Sequence, residues 1–180
     1  MGGVRFFLVA VLMIALPGMA VAKDLALTTF AGDWRGNAIS ENNTSVNFSI
    51  TSRDIDVDIR PGPDGNLSIT WRTLLRQKGN PASPTEVLKE TTLGFVKTDT
   101  LNVWKANTGG DVYAGAPVSW AQIRKQTLTI YVMAISDAGD YDMQVYKRTL
   151  TGLNMELDFT AIRDGKVRRT AKGQLTLYAR

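Results

Sequence analysis

Hydrophobic and polar residues alternate along much of this chain with a period of two, the pattern of β-strands that bury one face. The clearest example is residues 54–59, in which three aspartates alternate with isoleucine and valine. Residues 67–71 repeat the alternation after the proline- and glycine-rich stretch 61–66, which is typical of a turn. These segments predict a hairpin with one apolar face and one polar face.

Further strand-like segments with short connections continue to the C-terminus. They occupy residues 34–39, 87–96, 100–105, 116–123, 127–135, 141–150, 155–160 and 167–178. Turn residues separate them at intervals of about ten to fifteen residues. The sequence therefore predicts an all-β fold, a single antiparallel up-and-down β-barrel of about 8–10 strands, whose closure removes exposed edges. A transmembrane barrel would need an apolar outer band, which the charged strand faces do not provide.

The N-terminal segment has a different character and predicts a signal peptide. Arg5 supplies a positive charge, residues 6–16 are apolar, and Ala20-Val21-Ala22 has the small residues that signal peptidase recognises. The apolar run is shorter than the roughly 20 residues of a membrane-spanning helix, although an uncleaved anchor is the alternative. We expect cleavage after Ala22, a single domain over residues 23–180, no membrane span in the mature chain, and a periplasmic or secreted protein.

The amino-acid composition excludes several kinds of metal site and catalytic site. The chain has no cysteine and no histidine, and its formal net charge is +4. Zinc sites and the Ser-His-Asp and Cys-His nucleophile systems depend on these residue types, so none of them is expected. Apart from one cluster in residues 163–172, basic residues are interspersed with acidic ones. This even distribution of charge argues against a nucleic-acid surface. We expect no metal and no cofactor.

Three carboxylates on one strand face, those of Asp54, Asp56 and Asp58, are a candidate calcium site. Alternate carboxylates on a straight strand lie about 6.6 Å apart, whereas calcium takes oxygens at about 2.3–2.6 Å from a curled loop. A solvated face with Arg72 as a cross-strand partner is the better interpretation. The glutamates form no facing pair suited to glycoside hydrolysis. We therefore expect no catalytic residues and no enzymatic activity.

Gly32-Asp33-Trp34, close behind the predicted leader, carries a resemblance to a known family. Lipocalin-like proteins of the calycin group open their first strand with Gly-x-Trp after a short helical turn, and this chain resembles them in sequence and position. The family's second motif departs here in its tyrosine spacing. The resemblance implies a lipocalin-like barrel in which the glycine and tryptophan are structural. It also implies that an arginine from a late strand, Arg163 or Arg169, packs over the tryptophan ring at the closed end.

Aromatic residues are spread over different predicted strands, and their alternation with polar neighbours predicts that several point inward. The candidate ligand-binding residues are Trp71, Phe95, Trp120 and Tyr131, and Tyr141 and Phe159 share the pattern. A small barrel holds either packed side chains or one small ligand. Two hypotheses follow. The first is an exported barrel that binds or carries a small apolar molecule; the second is a filled-core, envelope-associated module that binds a protein partner.

The two hypotheses predict different features. The first predicts an internal cavity lined by Trp71 and Trp120. The second predicts a filled core and an exposed aromatic patch near Trp104 or Tyr146, because these two residues fall in phase with polar neighbours. Each of the two could instead belong to a second small cluster. Residues 144–148 are then the polar patch best suited to a partner.

Overall fold

The computed structural model describes residues 23–44, 50–76 and 86–180, so the predicted leader (1–22) and the predicted loop 78–84 lie outside the described residues. Within these ranges no helix has the length and hydropathy needed to cross a membrane. The helices are α1 (Leu27–Phe30) and 3-10 turns at Pro63–Gly65 and Val112–Ala114. The strands are β1 (Gly32–Asn42), β2 (Ile50–Pro61), β3 (Leu67–Arg76), β4 (Glu86–Lys97), β5 (Val103–Ala106), β6 (Val118–Arg124), β7 (Thr127–Ile135), β8 (Tyr141–Thr151), β9 (Asn154–Arg163) and β10 (Lys166–Ala179).

All ten strands belong to one closed antiparallel barrel. Each strand pairs with its neighbours in sequence, and β1 pairs with β10 to close the circle. The predicted all-β, up-and-down barrel is therefore confirmed. Because successive strands alternate in direction, the barrel has two ends. The helix end carries α1 and the β2–β3, β6–β7 and β8–β9 turns, and the opposite end carries the β1–β2, β7–β8 and β9–β10 turns.

The alternation seen in the sequence separates the barrel interior from its outer surface. On β2, Ile55, Val57 and Ile59 are buried, whereas the residues between them are partly exposed. Arg72 on β3 donates from Nη1 to Oδ2 of Asp58 at 2.7 Å. The aspartate-rich face is thus a solvated surface with a cross-strand ion pair, as the spacing of the carboxylates indicated.

The helix end is filled by a continuous apolar core. α1 contributes Leu27 and Phe30, and Trp34 on β1 is only 3% exposed. The Trp34 Nε1 group donates to the Phe30 carbonyl oxygen at 3.0 Å, which ties α1 to the first strand. Other strands add Ile59, Leu67, Phe95, Trp104, Ile123, Leu128, Met155 and Leu175. The Gly-x-Trp motif therefore opens the first strand at the plugged end, as the resemblance implied.

The arginine expected over the Trp34 ring is neither Arg163 nor Arg169, so this prediction is wrong. The register pairs Trp34 with Leu177, whereas Arg169 pairs with Asn42 at the other end of β1. Arg163 ends β9, also at the opposite end. Strands advance about 3.3 Å per residue, which places both arginines far from the ring. The resemblance supplied the motif but no register for the late strands.

The barrel wall has a seam at β5, which contains only four residues. β5 makes three residue pairs with β4 and three with β6. Beyond Gly94, whose carbonyl oxygen accepts from the Asn107 amide at 3.0 Å, β4 pairs with β3 alone within the described ranges. We call this interruption the β4–β6 seam. It lies in the half of the barrel nearer the opposite end.

β1 and β10 approach each other closely at Gly36 and Gly173. A Cβ on Gly36 would overlap the Gln174 carbonyl oxygen. We expect Gly36→Ala to lower the free energy of unfolding by about 1–3 kcal/mol in urea denaturation, because the paired backbones must separate. Gly109→Ala is the control, since its Cβ would meet nothing within 4 Å, and it should change stability by less than about 0.5 kcal/mol. Equal effects of the two substitutions would contradict the close approach.

Candidate functional site

Trp71 and Phe95 face the barrel interior, as predicted, with 8% and 1% of their surface exposed. Phe95 on β4 pairs with Leu67 within the helix-end core. Trp71 on β3 pairs with Val57 on one side and Thr91 on the other, further from α1. Trp71 therefore lies at the boundary between the apolar core and the rest of the interior. A role of either residue in ligand binding stays a prediction.

Trp120 and Tyr131 lie on the outer surface, and the prediction that they line the interior is wrong. The buried positions of β6 are Ser119, Ala121 and Ile123, which places Trp120 on the other face. Trp120 and Tyr131 form a cross-strand pair with stacked rings, their centroids 4.7 Å apart at an angle of 11°. On β6 the small residues Ser119 and Ala121 point inward, whereas the large Trp120 ring points outward. The hydrophobicity of the side chains therefore predicted the wrong face as the buried one. Trp71 and Trp120 cannot line one cavity.

Trp104 faces the interior rather than an exposed patch, and only 4% of it is exposed. Its Nε1 group donates to the Gly65 carbonyl oxygen at 2.7 Å, which fixes the ring within the helix-end core. Tyr141, which shares the alternating pattern of the candidate aromatic residues, is 38% exposed. Trp104 therefore does not contribute to an exposed aromatic patch.

Trp71, Tyr146 and Phe159 form an interior aromatic cluster contributed by β3, β8 and β9. The Tyr146 ring centroid lies 4.8 Å from that of Trp71 and 4.8 Å from that of Phe159, with tilted planes in both pairs. Burial raises the pKa of the Tyr146 hydroxyl, against the charges of two nearby arginines. The hydroxyl donates to Oε1 of Gln144 at 2.6 Å. Tyr146 therefore belongs to the second cluster that the sequence left open, and it lies inside the barrel.

Arg148 lies beside the interior aromatic cluster and is only 1% exposed. It follows Tyr146 by two residues on β8, so both side chains point inward. Its Cζ atom lies 5.3 Å from the Trp71 ring centroid and 5.7 Å from that of Tyr146. Burial lowers the pKa of Arg148 to about 10, which leaves the guanidinium charged at neutral pH. The predicted outward patch at residues 144–148 is therefore wrong for Tyr146 and Arg148.

The described surroundings of the Arg148 guanidinium do not supply hydrogen-bond acceptors for all of its N–H groups. Its Nε and Nη1 atoms have no hydrogen-bond acceptor among the described residues. The residues paired with Arg148 on β7 and β9 are Leu128 and Leu157, which offer only backbone polar groups already used in a barrel wall. Burying an unpaired charge is strongly unfavourable. Packing of the core does not account for an arginine at this position.

Two more arginines line the interior, nearer the opposite end. Arg53 on β2 has a buried Nε atom without an acceptor in the described ranges. Burial lowers the pKa of Arg53, and the charge of Arg169 lowers it further. The Arg169 guanidinium lies 5.1 Å from the Phe159 ring centroid. Both cations therefore belong to the same side of the interior as the aromatic cluster.

The neighbouring carboxylate of β8 is engaged elsewhere. Arg163 donates to Asp142 from Nε at 2.8 Å and from Nη2 at 2.7 Å. This exposed, two-point ion pair lowers the pKa of Asp142. Asp142 thus balances Arg163 at the opposite end rather than Arg148 in the interior.

Side chains around the interior differ sharply in size at the level of Arg148. In the register, Arg148 pairs with Leu157, Leu157 with Gly173, Gly173 with Ala38, and Ala38 with Arg53. The positions between the two arginines on β10 and β1 therefore carry at most a methyl group. The backbones of β1 and β10 approach closely here, since a Cβ on Gly173 would lie 2.6 Å from the Ala38 Cβ.

Two grooves on the described surface lie outside the barrel interior. One, of about 320 Å³, runs over the outer faces of β8, β9 and β10 and is lined mainly by Lys147, Glu156, Asp158 and Lys172. The other, of about 300 Å³, lies near the β2–β3 turn. Neither groove contains a residue of the interior aromatic cluster.

Comparison with known proteins supports the fold. No family model and no curated protein sequence matches the chain. The solved structure of Rv2717c from M. tuberculosis is similar, with a TM-score of 0.51 and 9% identity over 85% of this chain and 97% of that one. The S-type phycobiliprotein lyase CPES from Guillardia theta is also similar, with a TM-score of 0.54 and 11% identity over 87% of this chain and 94% of that one. The chain therefore has the lipocalin-like barrel fold that Gly32 and Trp34 indicated.

Proposed function

We propose that this protein binds a small, largely apolar molecule inside the barrel, between the helix-end core and the opposite end. The observation that carries the proposal is the interior aromatic cluster of Trp71, Tyr146 and Phe159, which lies beside a wall of glycine and alanine. Small-molecule sites are concave and mostly apolar, with a few polar groups that fix orientation. The interior of this barrel places an apolar aromatic cluster next to a few polar groups on one side.

The role proposed is binding rather than catalysis. The interior groups with shifted pKa values are Arg53, Tyr146 and Arg148. At neutral pH the arginines are charged and the tyrosine is protonated, so none of these three can act as a general base. A barrel of the same fold occurs in a phycobiliprotein lyase, but no lyase activity is carried over to this chain.

The β4–β6 seam supports access to the interior from the side. Only three residue pairs join β5 to each neighbouring strand. Few backbone hydrogen bonds need to open there, and such weakly paired regions are where proteins open locally. The signal-peptide pattern in residues 1–22 adds to the proposal that the barrel acts in the periplasm or outside the cell.

Titration of the mature protein with N-phenyl-1-naphthylamine tests interior binding. This uncharged aromatic probe becomes fluorescent in apolar surroundings, and we expect saturable binding with energy transfer from tryptophan. Trp71→Ala should weaken binding about tenfold, because removing one aromatic contact costs about 1.5 kcal/mol or more. Trp120→Ala is the matched control on the outer face and should leave the affinity within twofold. An equal loss in both variants would overturn the proposal, and so would the failure of both this probe and a charged analogue to bind saturably.

The outer surface of β6, β7 and β8 favours a second candidate, binding of an envelope protein partner. The stacked Trp120 and Tyr131 rings continue into Met133, which pairs with Val118 on β6 and Met143 on β8. Contiguous apolar patches on an outer surface often mark contact sites. If no small aromatic probe, charged or uncharged, binds saturably, this filled-core interpretation is the one that survives.

A further inference from the structure

Arg148 combines three properties that core residues rarely share. It is charged, only 1% exposed, and has two nitrogens without an acceptor among the described residues. Buried arginines are normally paired with a carboxylate or fully hydrogen-bonded. The ring faces of Trp71 and Tyr146 attract the cation, but a ring face offers no hydrogen-bond acceptor for the remaining N–H groups. What this guanidinium lacks is an oxyanion.

The charges around Arg148 also favour the binding of an anion. Arg53 and Arg169 add positive charge to the same part of the interior, and they are close enough for the charge of Arg169 to lower the pKa of Arg53. Charges of one sign in a poorly solvated cavity raise the local concentration of the opposite ion. Asp142 is held by Arg163 in a two-point ion pair. The described interior therefore presents an excess of positive charge without a matching carboxylate at Arg148.

The wall between Arg148 and Arg53 is lined mostly by small residues. Leu157, Gly173 and Ala38 separate the two arginines along the register, and the last two carry at most a methyl group. Guanidinium groups bind planar oxyanions through parallel hydrogen bonds, which are stronger than hydrogen bonds between neutral groups.

We propose that the barrel's ligand is an anionic amphiphile, with an apolar body against the interior aromatic cluster and one carboxylate- or sulfonate-like group at the Arg148 guanidinium. The inference rests on the proposed interior binding and adds the chemical class of the ligand. It assigns Arg148 as the anion-binding residue of the site. Arg53 and Arg169 contribute a favourable potential.

Two probes that share one ring system test the inference. 1-Anilinonaphthalene-8-sulfonate has the skeleton of N-phenyl-1-naphthylamine and adds a sulfonate. We expect the anionic probe to bind the unmodified mature protein at least tenfold more tightly than the uncharged one. Arg148→Met should remove this preference, weakening the anionic probe at least tenfold and leaving the uncharged probe within threefold.

Lys147→Met is the matched control, because it removes the same charge from the adjacent residue on the outer face. It should leave both affinities within twofold. An effect as large as that of Arg148→Met would place the anion in the outer groove or in the general field of the protein, which overturns the inference. Arg148→Gln gives a second, polar but uncharged variant, and far-UV circular dichroism reports whether each variant is folded.

The outcomes separate the inference from the function on which it rests. If both probes bind saturably with equal affinity in the unmodified protein, the anionic class is wrong and interior binding stands. This comparison needs no variant. If neither probe binds saturably, the proposed function fails and the inference fails with it. Displacement of the anionic probe by dodecanoic acid but not by dodecan-1-ol extends the result to carboxylates; equal displacement by both would overturn it.

Discussion

Trp34→Ala is expected to lower the free energy of unfolding by about 3–5 kcal/mol, the range for removing a buried large aromatic side chain. The loss has two parts. The ring fills the helix-end core with 3% exposure, and its N–H group holds the Phe30 carbonyl oxygen at 3.0 Å. Without this bond α1 loses the side-chain hydrogen bond that fixes it against β1. The melting temperature should fall by roughly 10 °C or more, as measured by circular dichroism.

Two variants divide this effect. Trp34→Phe keeps most of the buried ring and loses the donor, so it should cost about 1–3 kcal/mol, the penalty for an unpaired buried carbonyl group. Trp120→Ala removes a ring from the outer surface and should cost about 1 kcal/mol or less. A melting temperature of Trp34→Ala equal to that of the unmodified protein would show that the Gly-x-Trp motif has no structural role here.

Arg148→Met is expected to have the opposite sign and to raise the free energy of unfolding by about 1–3 kcal/mol. Methionine keeps an unbranched apolar stem of similar length, and the substitution removes a buried charge whose desolvation is not repaid by a carboxylate. The lost attraction to the Trp71 and Tyr146 rings offsets part of the gain, by about 0.5–2 kcal/mol. Urea denaturation without ligand measures the difference.

The gain should not depend on pH between 6 and 9. With a folded-state pKa of about 10, Arg148 binds its proton in both the folded and unfolded states throughout this range. The number of bound protons is then equal in the two states, so the contribution of Arg148 to stability has no slope. A gain that appears only above or below neutrality, or a loss of stability at every pH, would contradict an unpaired buried cation.

Together with the probe titrations, this result would distinguish a binding residue from a structural one. Replacing an arginine with a structural role lowers the stability of the protein. Replacing an arginine whose role is to bind a ligand raises the stability and weakens ligand binding. Lys147→Met should change neither property by much, since its side chain is exposed. The pair of adjacent residues therefore separates the two roles within one strand.

The fold could be predicted from the sequence because the period-two pattern is strong where one face is solvated. On β2 the acidic residues and the β-branched residues occupy separate faces, so the phase is unambiguous. Gly32 and Trp34 indicated where the barrel begins, because the motif is local and lies next to α1. Local signals of this kind need no knowledge of distant strands.

The candidate site could not be predicted in the same way. β8 has apolar residues on both faces, with Met143 and Val145 outward and Tyr146 and Leu150 inward, so the pattern does not say which face is buried. Arg148 is in phase with Tyr146 and Leu150, and that spacing was the one signal for its position. A charged residue inside a barrel contradicts the rule on which the prediction rests.

The register between β1 and β10 also could not be predicted from the sequence. The pairing of Asn42 with Arg169 and of Trp34 with Leu177 is a property of two strands far apart in sequence. β10 alone does not specify how far it slides along β1, because the register depends on the side chains of both strands. The close approach of Gly36 to Gln174 helps to define that register, and it becomes visible only when both strands are in place.

The pairing of β1 with β10 also governs the order in which this barrel can form. Asp33 pairs with Ala179, so β1 cannot complete its pairing until β10 has formed. Until then any growing chain is an open sheet with two free edges, the state most prone to misassembly. Contacts between such distant residues also make closure slow. Until β10 is paired with β1, both strands therefore keep an edge at which another chain could add.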